Sequence, residues 1–434
     1  MTLMEKILSK KAEVGVVGLG YVGLPLAVEK AKAGYKVIGF DLQKSKVDMV
    51  NAGHNYIGDV VNEDLQALVK EGKIQATTDF ERIMECDTVA VCVPTPLDKF
   101  KQPDLSYVIN STKDIAKRLH KDMLIVLEST TYPGTTEEVM LPILQESGLK
   151  AGKDFYLAFS PERVDPGNIK FKTKNTPKVV GGVTKECTEH AKALYENVLQ
   201  AQVFTVTSPK EAEMTKILEN SFRLINIAFI NEMAIICNKM NINIWEVIQA
   251  ASTKPFGFMP FYPGPGIGGH CIPLDPFYLQ YKARAYDFHT TMIDLAGDIT
   301  DSMPEYVVER LSEILNDNKK CLNGSRILLL GVAYKNDIDD MRESPALKVI
   351  EHLEKKHAQV LIHDPFVPEF SHNNKKYYSS ALTKDLIENM DAVVITTGHT
   401  TVDYGFVADN AKILFDTKNV TKNLRTDRKN LFIL

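Results

Sequence analysis

The first third of the chain alternates short apolar runs with segments of helical composition. Residues 14–17 and 35–41 are predicted strands, with a glycine-rich turn and the helical segment 24–33 between them. Further apolar runs of strand length lie at 88–93, 123–127, 156–159 and 179–180. Buried-type strands that alternate with helices are typical of a parallel sheet covered by helices on both faces. This part of the sequence therefore predicts a doubly wound α/β fold.

The middle of the chain has helical periodicity. Between Glu211 and about Ser252 there is no Gly or Pro, and apolar residues recur every three or four positions. This spacing predicts one long helix with a buried apolar stripe, which would connect two lobes and could form a dimer interface. The stripe consists of Met214, Ile217, Leu218, Phe222, Ile225, Phe229, Met233, Ile236 and Cys237.

The alternation of strands and helices resumes after Asn323. Ser344 and Pro345 predict the N-cap and the first turn of a helix in this region. We predict an α/β protein with two Rossmann-like, doubly wound parallel sheets joined by a long central helix. The predicted strands of the second sheet are 326–331, 359–364, 391–396 and 412–416. The predicted domains are 1–205, 206–318 and 319–434.

Composition and charge exclude several classes of protein. The chain has 434 residues, 44% of them hydrophobic, so it can bury cores and is not disordered as a whole. A net charge of −5 without a long basic run argues against a dedicated nucleic-acid or anionic-membrane binder. Ten of the twenty uncharged residues 255–274 are Pro or Gly, which rules out a membrane helix there. The six cysteines form no CxxC pair and the N-terminus does not resemble a signal peptide, so we expect a cytoplasmic protein.

The glycine-rich turn at residues 18–23 has the context of a dinucleotide-binding site. It follows a strand and opens a helix, and Asp41 ends the next strand. In such a turn Gly18 permits the bend, Gly20 lets a pyrophosphate approach the backbone, and Gly23 lets the helix pack on the sheet. The helix N-terminus supplies amide donors. Asp41 would bind ribose hydroxyls and repel a 2′-phosphate, which favours NAD over NADP. The alternative is a purely structural glycine turn.

Hydroxyl side chains follow two further strands of the same sheet. Thr95 follows the strand at 88–93, and Ser129 and Thr130 follow the strand at 123–127. Because ligands bind at the carboxyl ends of parallel strands, these residues are predicted neighbours of the nucleotide. Each of them could equally cap its own turn.

Residues 261–276, FYPGPGIGGHCIPLDP, form the most unusual segment of the sequence. Dense glycines would let a ligand approach the backbone closely. Pro273 predicts the start of a helix, which would place Cys271 just before a helix N-terminus, where thiol pKa values fall. Asp275 is a candidate acid or base, and His270 is a weaker one. The alternative is that Cys271 is a structural residue of the loop.

Two sets of polar residues allow both a functional and a trivial interpretation. Lys216, Asn220 and Arg223 would share one face of the central helix, either near the lobe junction or as solvated surface. Tyr278 and Lys282 match the Tyr-x-x-x-Lys dyad of short-chain dehydrogenases. They follow Cys271 in the middle of a two-lobed chain, so we interpret this match as chance.

Together these motifs resemble the UDP-glucose/GDP-mannose dehydrogenase family over nearly the whole chain. The resemblance rests on GLGYVGLPLA (18–27), SPERVDPG (160–167), EMTKILENSFR (213–223), GPGIGGHCIPLD (264–275) and GVAYKNDIDDMRESPAL (331–347). The order and spacing of these motifs make it specific. It implies that two NAD oxidise the C6 hydroxyl of a UDP-sugar to a carboxylate. It also implies that 1–205 bind NAD, 206–318 carry the cysteine and 319–434 bind UDP.

The resemblance implies chemical roles at matching positions. Cys271 would be the nucleophile, first in a thiohemiacetal and then in a thioester. Lys216, Asn220 and Asp275 would handle protons, the oxyanion and the hydrolytic water, which Thr130 would help to position. The implied catalytic residues are Cys271, Lys216, Asn220, Asp275, Thr130 and Glu162.

The resemblance also implies binding residues. Glu162 matches a substrate-site acid and Lys335 would contact the UDP diphosphate. Arg342 would reach back to NAD, and Lys46 matches a basic residue near the adenosine ribose. The implied cofactor-binding residues are Gly18, Gly20, Tyr21, Val22, Gly23, Asp41, Lys46, Thr95, Ser129, Thr130 and Arg342. The implied substrate-binding residues are Glu162, Lys216, Asn220, Arg223, Tyr262, Gly264, Gly266, Gly268 and Lys335, and no metal is implied.

Two departures from the UDP-glucose branch bear on the identity of the sugar. That branch usually has Glu where this chain has Pro166, and Lys where it has Leu274. With residues 255–266, these departures favour UDP-N-acetylglucosamine over UDP-glucose, UDP-N-acetylgalactosamine or UDP-N-acetylmannosamine. The product would serve cell-surface polysaccharides such as capsule or O-antigen, and we expect a homodimer or higher homo-oligomer. The distant alternative is a two-electron hydroxy-acid dehydrogenase.

Overall fold

The computed structural model describes residues 1–58, 60–98, 100–164, 168, 170–269, 271–424 and 428–434. It divides into two compact units. The first contains Met1–Glu219 and Phe277–Phe288, and the second contains Asn220–Pro276 and His289–Leu434. Pro166 and His270, which entered the sequence interpretation, lie outside the described residues.

The secondary structure of the described ranges alternates between strands and helices in both units. The helices are α1 (Leu3–Leu8), α2 (Gly23–Lys32), α3 (Lys44–Asn51), α4 (Asn62–Lys70), α5 (Ser106–Ala116), α6 (Leu141–Gln145), α7 (Lys185–Val198), α8 (Pro209–Lys239), α9 (Ile244–Ala251), α10 (Asp275–Ala283), α11 (Thr291–Asp317), α12 (Pro345–Lys355), α13 (Lys384–Glu388) and α14 (Tyr404–Asn410). The strands are β1 (Glu13–Val17), β2 (Lys36–Phe40), β3 (Ile74–Thr77), β4 (Thr88–Val91), β5 (Leu124–Leu127), β6 (Tyr156–Phe159), β7 (Lys178–Gly182), β8 (Val203–Thr205), β9 (Arg326–Leu330), β10 (Gln359–His363), β11 (Glu369–His372), β12 (Lys375–Tyr378), β13 (Ala392–Ile395), β14 (Leu414–Asp416) and β15 (Leu431–Ile433).

The first unit is built on a sheet whose described strands have the order β3-β2-β1-β4-β5-β6-β7-β8. Strands β1 to β6 are parallel, whereas β7 runs antiparallel to β6 and pairs Gly181 with Phe159. Val16 and Val17 belong to different apolar clusters because successive side chains of a strand point to opposite faces. The chain order reverses between β1 and β4, and such a switch point is where ligands of this fold bind.

The second unit contains a parallel sheet with the order β10-β9-β13-β14-β15 and a separate antiparallel hairpin of β11 and β12. Helices α11 and α12 supply the apolar residues that cover one face of this sheet. The predicted fold class is therefore confirmed: the chain has two α/β sheets and a long helix, α8. The division of the chain into two units falls within this helix, between Glu219 and Asn220. Among the described helices, none combines the length and the apolarity needed to cross a membrane.

The prediction of one helix from Glu211 to about Ser252 is wrong after Lys239, where the chain breaks and begins a second helix. Helix α8 ends at Lys239, and Asn241 adopts the left-handed conformation with φ of 56°. Asn243 then caps α9 by accepting a hydrogen bond from the Trp245 backbone N–H. Asn tolerates this conformation and is a favoured N-cap, so two asparagines end one helix and begin the next.

The buried stripe predicted on this helix is also wrong. Of its nine members Ile217 alone is buried, and Leu218 and Phe229 are 60% and 55% exposed. Helix α8 instead buries a face that carries polar side chains. These are Glu213, Lys216, Asn220, Ser221 and Asn231.

The predicted cap of the helix after β9 is confirmed in position and wrong in detail. Ser344 occupies the N-cap position and Pro345 begins α12. The Ser344 hydroxyl is buried, however, and forms no hydrogen bond with any described residue.

Candidate functional site

The glycine turn between β1 and α2 combines two glycines required by packing with one that is not. Gly18 has φ of 91°, and a Cβ there would lie 2.6 Å from the Cys92 carbonyl oxygen. A Cβ on Gly23 would lie 1.8 Å from the Gly18 carbonyl oxygen. A Cβ on Gly20 would meet no described atom within 4 Å. The space beside Gly20 is therefore open to a ligand, as expected where a phosphate approaches the backbone.

Asp41 follows β2 and holds this turn in place. Its carboxylate accepts hydrogen bonds from the backbone N–H groups of Leu19 at 3.0 Å and Gln43 at 2.8 Å. Lys46 lies 3.8 Å from the same carboxylate. Tyr21 and Val22 lie in the turn itself, with the Tyr21 side chain 47% exposed.

The hydroxyls that follow β4 and β5 have different roles. Ser129 donates to the Val93 carbonyl at 2.7 Å, so its hydroxyl joins the segments that follow β4 and β5 and does not cap its own turn. Thr130 is half-buried. The neighbouring Thr131 was missed: its hydroxyl is buried without a hydrogen-bond partner among the described residues. A buried polar group without a partner is rare, so Thr131 is a candidate for contact with a bound molecule.

Tyr278 and Lys282 are engaged in packing contacts of the first unit. The Tyr278 hydroxyl donates to the Thr95 carbonyl, and the Lys282 ammonium pairs with Glu138. These contacts account for both side chains without a catalytic dyad and agree with the interpretation of the match as chance.

Glu162 lies in the segment after β6 and is held as a carboxylate. It accepts hydrogen bonds from the backbone N–H groups of Arg163 at 2.7 Å and Val164 at 2.8 Å. Burial alone would raise its pKa. The charge of Lys178, these hydrogen bonds and the charge of Lys216 outweigh burial, so the pKa of Glu162 lies below its ordinary value. Two predicted site residues, Glu162 and Lys216, are thus brought together.

In the second unit, Asn220 and Asp275 are in direct contact. The Asn220 side-chain amide donates to the Asp275 carboxylate at 2.5 Å, and both residues are buried. Helix α10 begins at Asp275, two residues after the predicted start at Pro273. The Cys271 carbonyl accepts the N–H groups of Leu274 at 3.1 Å and Asp275 at 2.8 Å, so Cys271 directly precedes the first turn. Cys271 is half-buried and is not part of a disulfide.

The glycines of the cysteine loop bring its backbone close to other parts of the protein. A Cβ on Gly268 would lie 2.6 Å from the Tyr334 Cβ and 2.9 Å from the Glu343 carbonyl oxygen. A Cβ on Gly266 would lie 3.0 Å from Pro345. Residues 334–345 therefore pack directly against the loop backbone.

One cation near this loop was missed by the sequence interpretation. Gly264 donates its N–H to the Asn231 side chain at 3.0 Å, and a Cβ on Gly264 would lie 3.3 Å from the Lys418 ammonium. Burial lowers the pKa of Lys418 despite the nearby charge of Asp416. The sequence signal was weak, because Lys418 is a single lysine after a strand.

The remaining predicted residues are more exposed. Tyr262 is 59% exposed and stacks on Trp245 with 6.0 Å between ring centroids. Arg342 forms an ion pair with Asp340 at 2.6 Å, and Lys335 is half-buried. Arg223 is exposed. Within the described ranges no group of three or more His, Cys, Asp or Glu side chains could hold a metal ion.

The sheet with its glycine turn and switch point is that of a nucleotide-binding enzyme of the dehydrogenase type. Three models of the UDP-glucose/GDP-mannose dehydrogenase family match the chain: the NAD binding domain at residues 12–199, the central domain at 210–302 and the UDP binding domain at 328–423. The chain belongs to the UDP-glucose/GDP-mannose dehydrogenase family. NAD is therefore its cofactor, and the predicted family resemblance is confirmed.

Relatives with different printed substrates resemble the chain to a similar extent. UDP-N-acetyl-D-glucosamine 6-dehydrogenase of Pseudomonas aeruginosa is 38% identical over 82% of this chain and 84% of the relative. The structure of UDP-D-ManNAc dehydrogenase from Pyrococcus horikoshii aligns with a TM-score of 0.87 at 32% identity, covering 97% of this chain and 98% of that one. An NDP-N-acetyl-D-galactosaminuronic acid dehydrogenase from Methanosarcina mazei aligns with a TM-score of 0.83 at 33% identity, covering 100% and 97%.

Proposed function

We propose that this protein oxidises the C6 hydroxyl of a UDP-sugar, with UDP-N-acetyl-D-glucosamine favoured, to the UDP-uronic acid. The observation that carries this proposal is the buried Asn220–Asp275 hydrogen bond, because Asp275 lies one turn after Cys271 and begins α10. Oxidation of an alcohol to a carboxylate removes four electrons, consumes one water and reduces two NAD. Bound NAD supplies the hydride acceptor for each of the two oxidations.

In the proposed mechanism Cys271 retains the substrate between the two oxidations. Its sulfur adds to the C6 aldehyde formed in the first oxidation, which gives a thiohemiacetal. Loss of a second hydride from C6 turns the thiohemiacetal into a thioester. Water then attacks the thioester carbonyl, and the sulfur leaves as the free thiol of the enzyme.

Proton transfer and charge stabilisation are assigned to the buried polar residues. We assign Lys216 and Asn220 to stabilisation of the developing oxyanion, and Asp275 to activation of the hydrolytic water. Glu162 is the proposed substrate-site acid. Thr130 is the proposed positioning residue for the water, and the unpartnered Thr131 hydroxyl is a second candidate for that role.

The open space beside Gly20 fits the pyrophosphate of NAD, with the N-terminus of α2 supplying donors. Asp41 is assigned to the adenosine ribose, with Lys46 beside it. Thr95, Ser129 and Arg342 remain proposed contacts of the cofactor.

The second unit supplies the proposed binding groups for the UDP moiety. Lys335 is assigned to the diphosphate, and the half-buried Lys418, whose ammonium lies beside Gly264, supports a second cationic contact. Arg223 and the backbone from Tyr262 to Gly268 are assigned to the nucleotide sugar. Such placed cations are necessary because the chain as a whole is acidic.

We further propose that the enzyme is cytoplasmic, forms a homodimer or higher homo-oligomer and makes a precursor of cell-surface polysaccharides. The exposed apolar side chains of α8, such as Leu218 and Phe229, support the oligomer. A purified chain that sediments as a monomer at micromolar concentration would contradict it.

Purified enzyme and NADH absorbance test the proposed function. UDP-N-acetylglucosamine, UDP-glucose, UDP-N-acetylgalactosamine and UDP-N-acetylmannosamine are compared side by side, and two NADH per sugar are expected with the first as the best substrate. Cys271→Ser should stop after the first oxidation, and Cys321→Ser, at an exposed cysteine, should match the parent. One NADH per sugar in the parent, or full turnover by Cys271→Ser, would refute the thioester mechanism.

A further inference from the structure

A buried network of charged side chains lies in the first unit, next to the strands whose ends carry the predicted cofactor-binding residues. Glu128 lies between β5 and Ser129 and is 1% exposed. The ammonium of Lys178, on β7, donates to one of its carboxylate oxygens at 2.6 Å. The Tyr195 hydroxyl, on α7, donates to the other oxygen. Glu128 is therefore held from both sides.

Lys178 is shared between two carboxylates. Its ammonium lies 3.5 Å from the Glu162 carboxylate and 3.5 Å from the Pro161 carbonyl, besides its shorter bond to Glu128. Burial alone would lower the pKa of Lys178, but the charges of Glu128 and Glu162 outweigh burial and raise it. Lys178 is therefore a permanent cation between the two.

The network links two segments with different proposed tasks. Glu128 precedes the hydroxyl residues assigned to cofactor and water, and Glu162 belongs to the substrate segment. On its other side, Arg163 pairs with Glu219 on α8 at 2.5 Å, which fixes the backbone next to Glu162. A single ammonium thus connects the end of β5 with the substrate-site acid.

We propose that Lys178 is a positioning residue that holds the Glu162 carboxylate ionised and in place, and that Glu128 competes with Glu162 for the Lys178 charge. The role assigned to Glu162 rests on the proposed function. The geometry of the network does not, because its members contact one another within one compact unit.

The competition gives two substitutions opposite effects. Replacing Lys178 by Met removes the nearest cation from Glu162, so the Glu162 pKa should rise. Replacing Glu128 by Gln leaves Lys178 to Glu162 alone, so the Glu162 pKa should fall. A purely structural role would change both variants in the same direction. The titratable groups that interact with Glu162 are Lys178, Lys216, Tyr195 and Cys92, and Glu128 and Lys30 interact with Lys178.

Two other members of this set stay neutral over the tested range. Burial raises the pKa of Tyr195 and of Cys92, so both stay neutral. Burial lowers the pKa of Lys30, which is fully buried, and its ammonium lies 5.6 Å from the Tyr195 ring centroid. Lys30, Lys216, Tyr195 and Cys92 are present in every variant, so opposite shifts report on the substituted residues Lys178 and Glu128.

The experiment measures kcat/KM for the UDP-sugar against pH in the parent, Lys178→Met and Glu128→Gln. The acid limb should move up by about one pH unit in Lys178→Met and down in Glu128→Gln, with about a tenfold change in kcat/KM per unit on the acid side. Lys185→Met on α7, where the lysine side chain is 85% exposed, is the matched control and should superimpose on the parent.

A second readout does not require turnover. Infrared difference spectra against Glu162→Gln report the protonation of Glu162 directly in each background. An unmoved Glu162 titration in Lys178→Met, or a shift of the same sign in both variants, would overturn this proposal. If the parent oxidises none of the four UDP-sugars, the proposed function fails while the infrared titration still decides the role of Lys178.

Discussion

Glu213, on the buried face of α8, makes the stability of the protein depend on pH. Its carboxylate accepts hydrogen bonds from the Gly134 N–H at 2.5 Å, the Thr136 N–H at 2.9 Å and the Thr136 hydroxyl at 2.7 Å. Burial nevertheless outweighs these three bonds and raises the pKa of Glu213 from 4.5 to about 7. The folded protein therefore holds this proton more tightly than the unfolded chain does.

The sign and size follow from linkage. With the folded pKa above the unfolded one, the stabilisation is complete below the unfolded value and is lost as pH rises through the folded value. The difference between 4.5 and about 7 corresponds to about 3.4 kcal/mol in full. Between about pH 5 and about pH 8 we expect the parent to lose about 2.5 kcal/mol through Glu213.

Glu213→Gln removes this proton equilibrium. The variant places an amide where Thr136 and Gly134 donate, so it should be less stable than the parent at about pH 5, by about 1–3 kcal/mol. The gap should close by about 2.5 kcal/mol at about pH 8. Urea unfolding followed by far-UV circular dichroism measures it. Glu232→Gln, at an exposed position of the same helix, is the control. An equal gap at both pH values would refute the reasoning.

Two further predictions concern the glycine turn and the second sheet. The free energy of unfolding of Gly20→Ala should lie within about 0.5 kcal/mol of that of the parent, yet this variant should bind NAD at least about tenfold more weakly, whereas Gly23→Ala should lose about 3 kcal/mol or more of stability. Thermal unfolding and NAD titration measure these two effects. A Gly20→Ala variant that binds NAD normally would contradict the assignment. Although burial alone would raise it, the pKa of Asp364 is kept below its ordinary value by hydrogen bonds from His399 and backbone N–H groups. The parent should therefore have a higher free energy of unfolding than Asp364→Asn, by a difference that is complete above about pH 4 and shrinks as pH falls below it. Urea unfolding measures this difference, and a value that does not change with pH would contradict the prediction.

Local patterns predicted the elements that depend on local physics. The strands around Val14–Val17 and Lys36–Phe40, with a turn that demands glycine between them, are visible in sequence because burial and backbone conformation act within a few residues. The direction of β7 is different. Its antiparallel pairing with β6 follows from the path of the chain between them, and the composition of Lys178–Gly182 carries no trace of it.

The face that a helix buries is likewise a tertiary property. The apolar spacing of α8 favoured Leu218 and Phe229 as core residues, whereas the chain buries Glu213, Lys216 and Asn220. Polar groups can be buried when partners from distant segments satisfy them. Those partners, such as the loop at Gly134–Thr136, cannot be found by periodicity.

The parts of the candidate site that consist of sequence motifs could be predicted. The parts that depend on contacts between distant residues could not. The glycine turn, Glu162 and the cysteine loop have recognisable residues at fixed spacing. The Glu128–Lys178 bond joins residues fifty positions apart, and only the neighbouring positions of β5, β6 and β7 in the sheet bring them together. No local signal marks such a pair.

The close packing of the cysteine loop limits how the enzyme can be redesigned. Because Gly266 and Gly268 lie directly against the segment from Tyr334 to Pro345, the two segments form one interlocking surface. Transplanting the loop of another sugar dehydrogenase into this chain would bring a backbone shaped for a different counterpart. Attempts to change the accepted sugar by loop exchange should therefore exchange both segments as a pair.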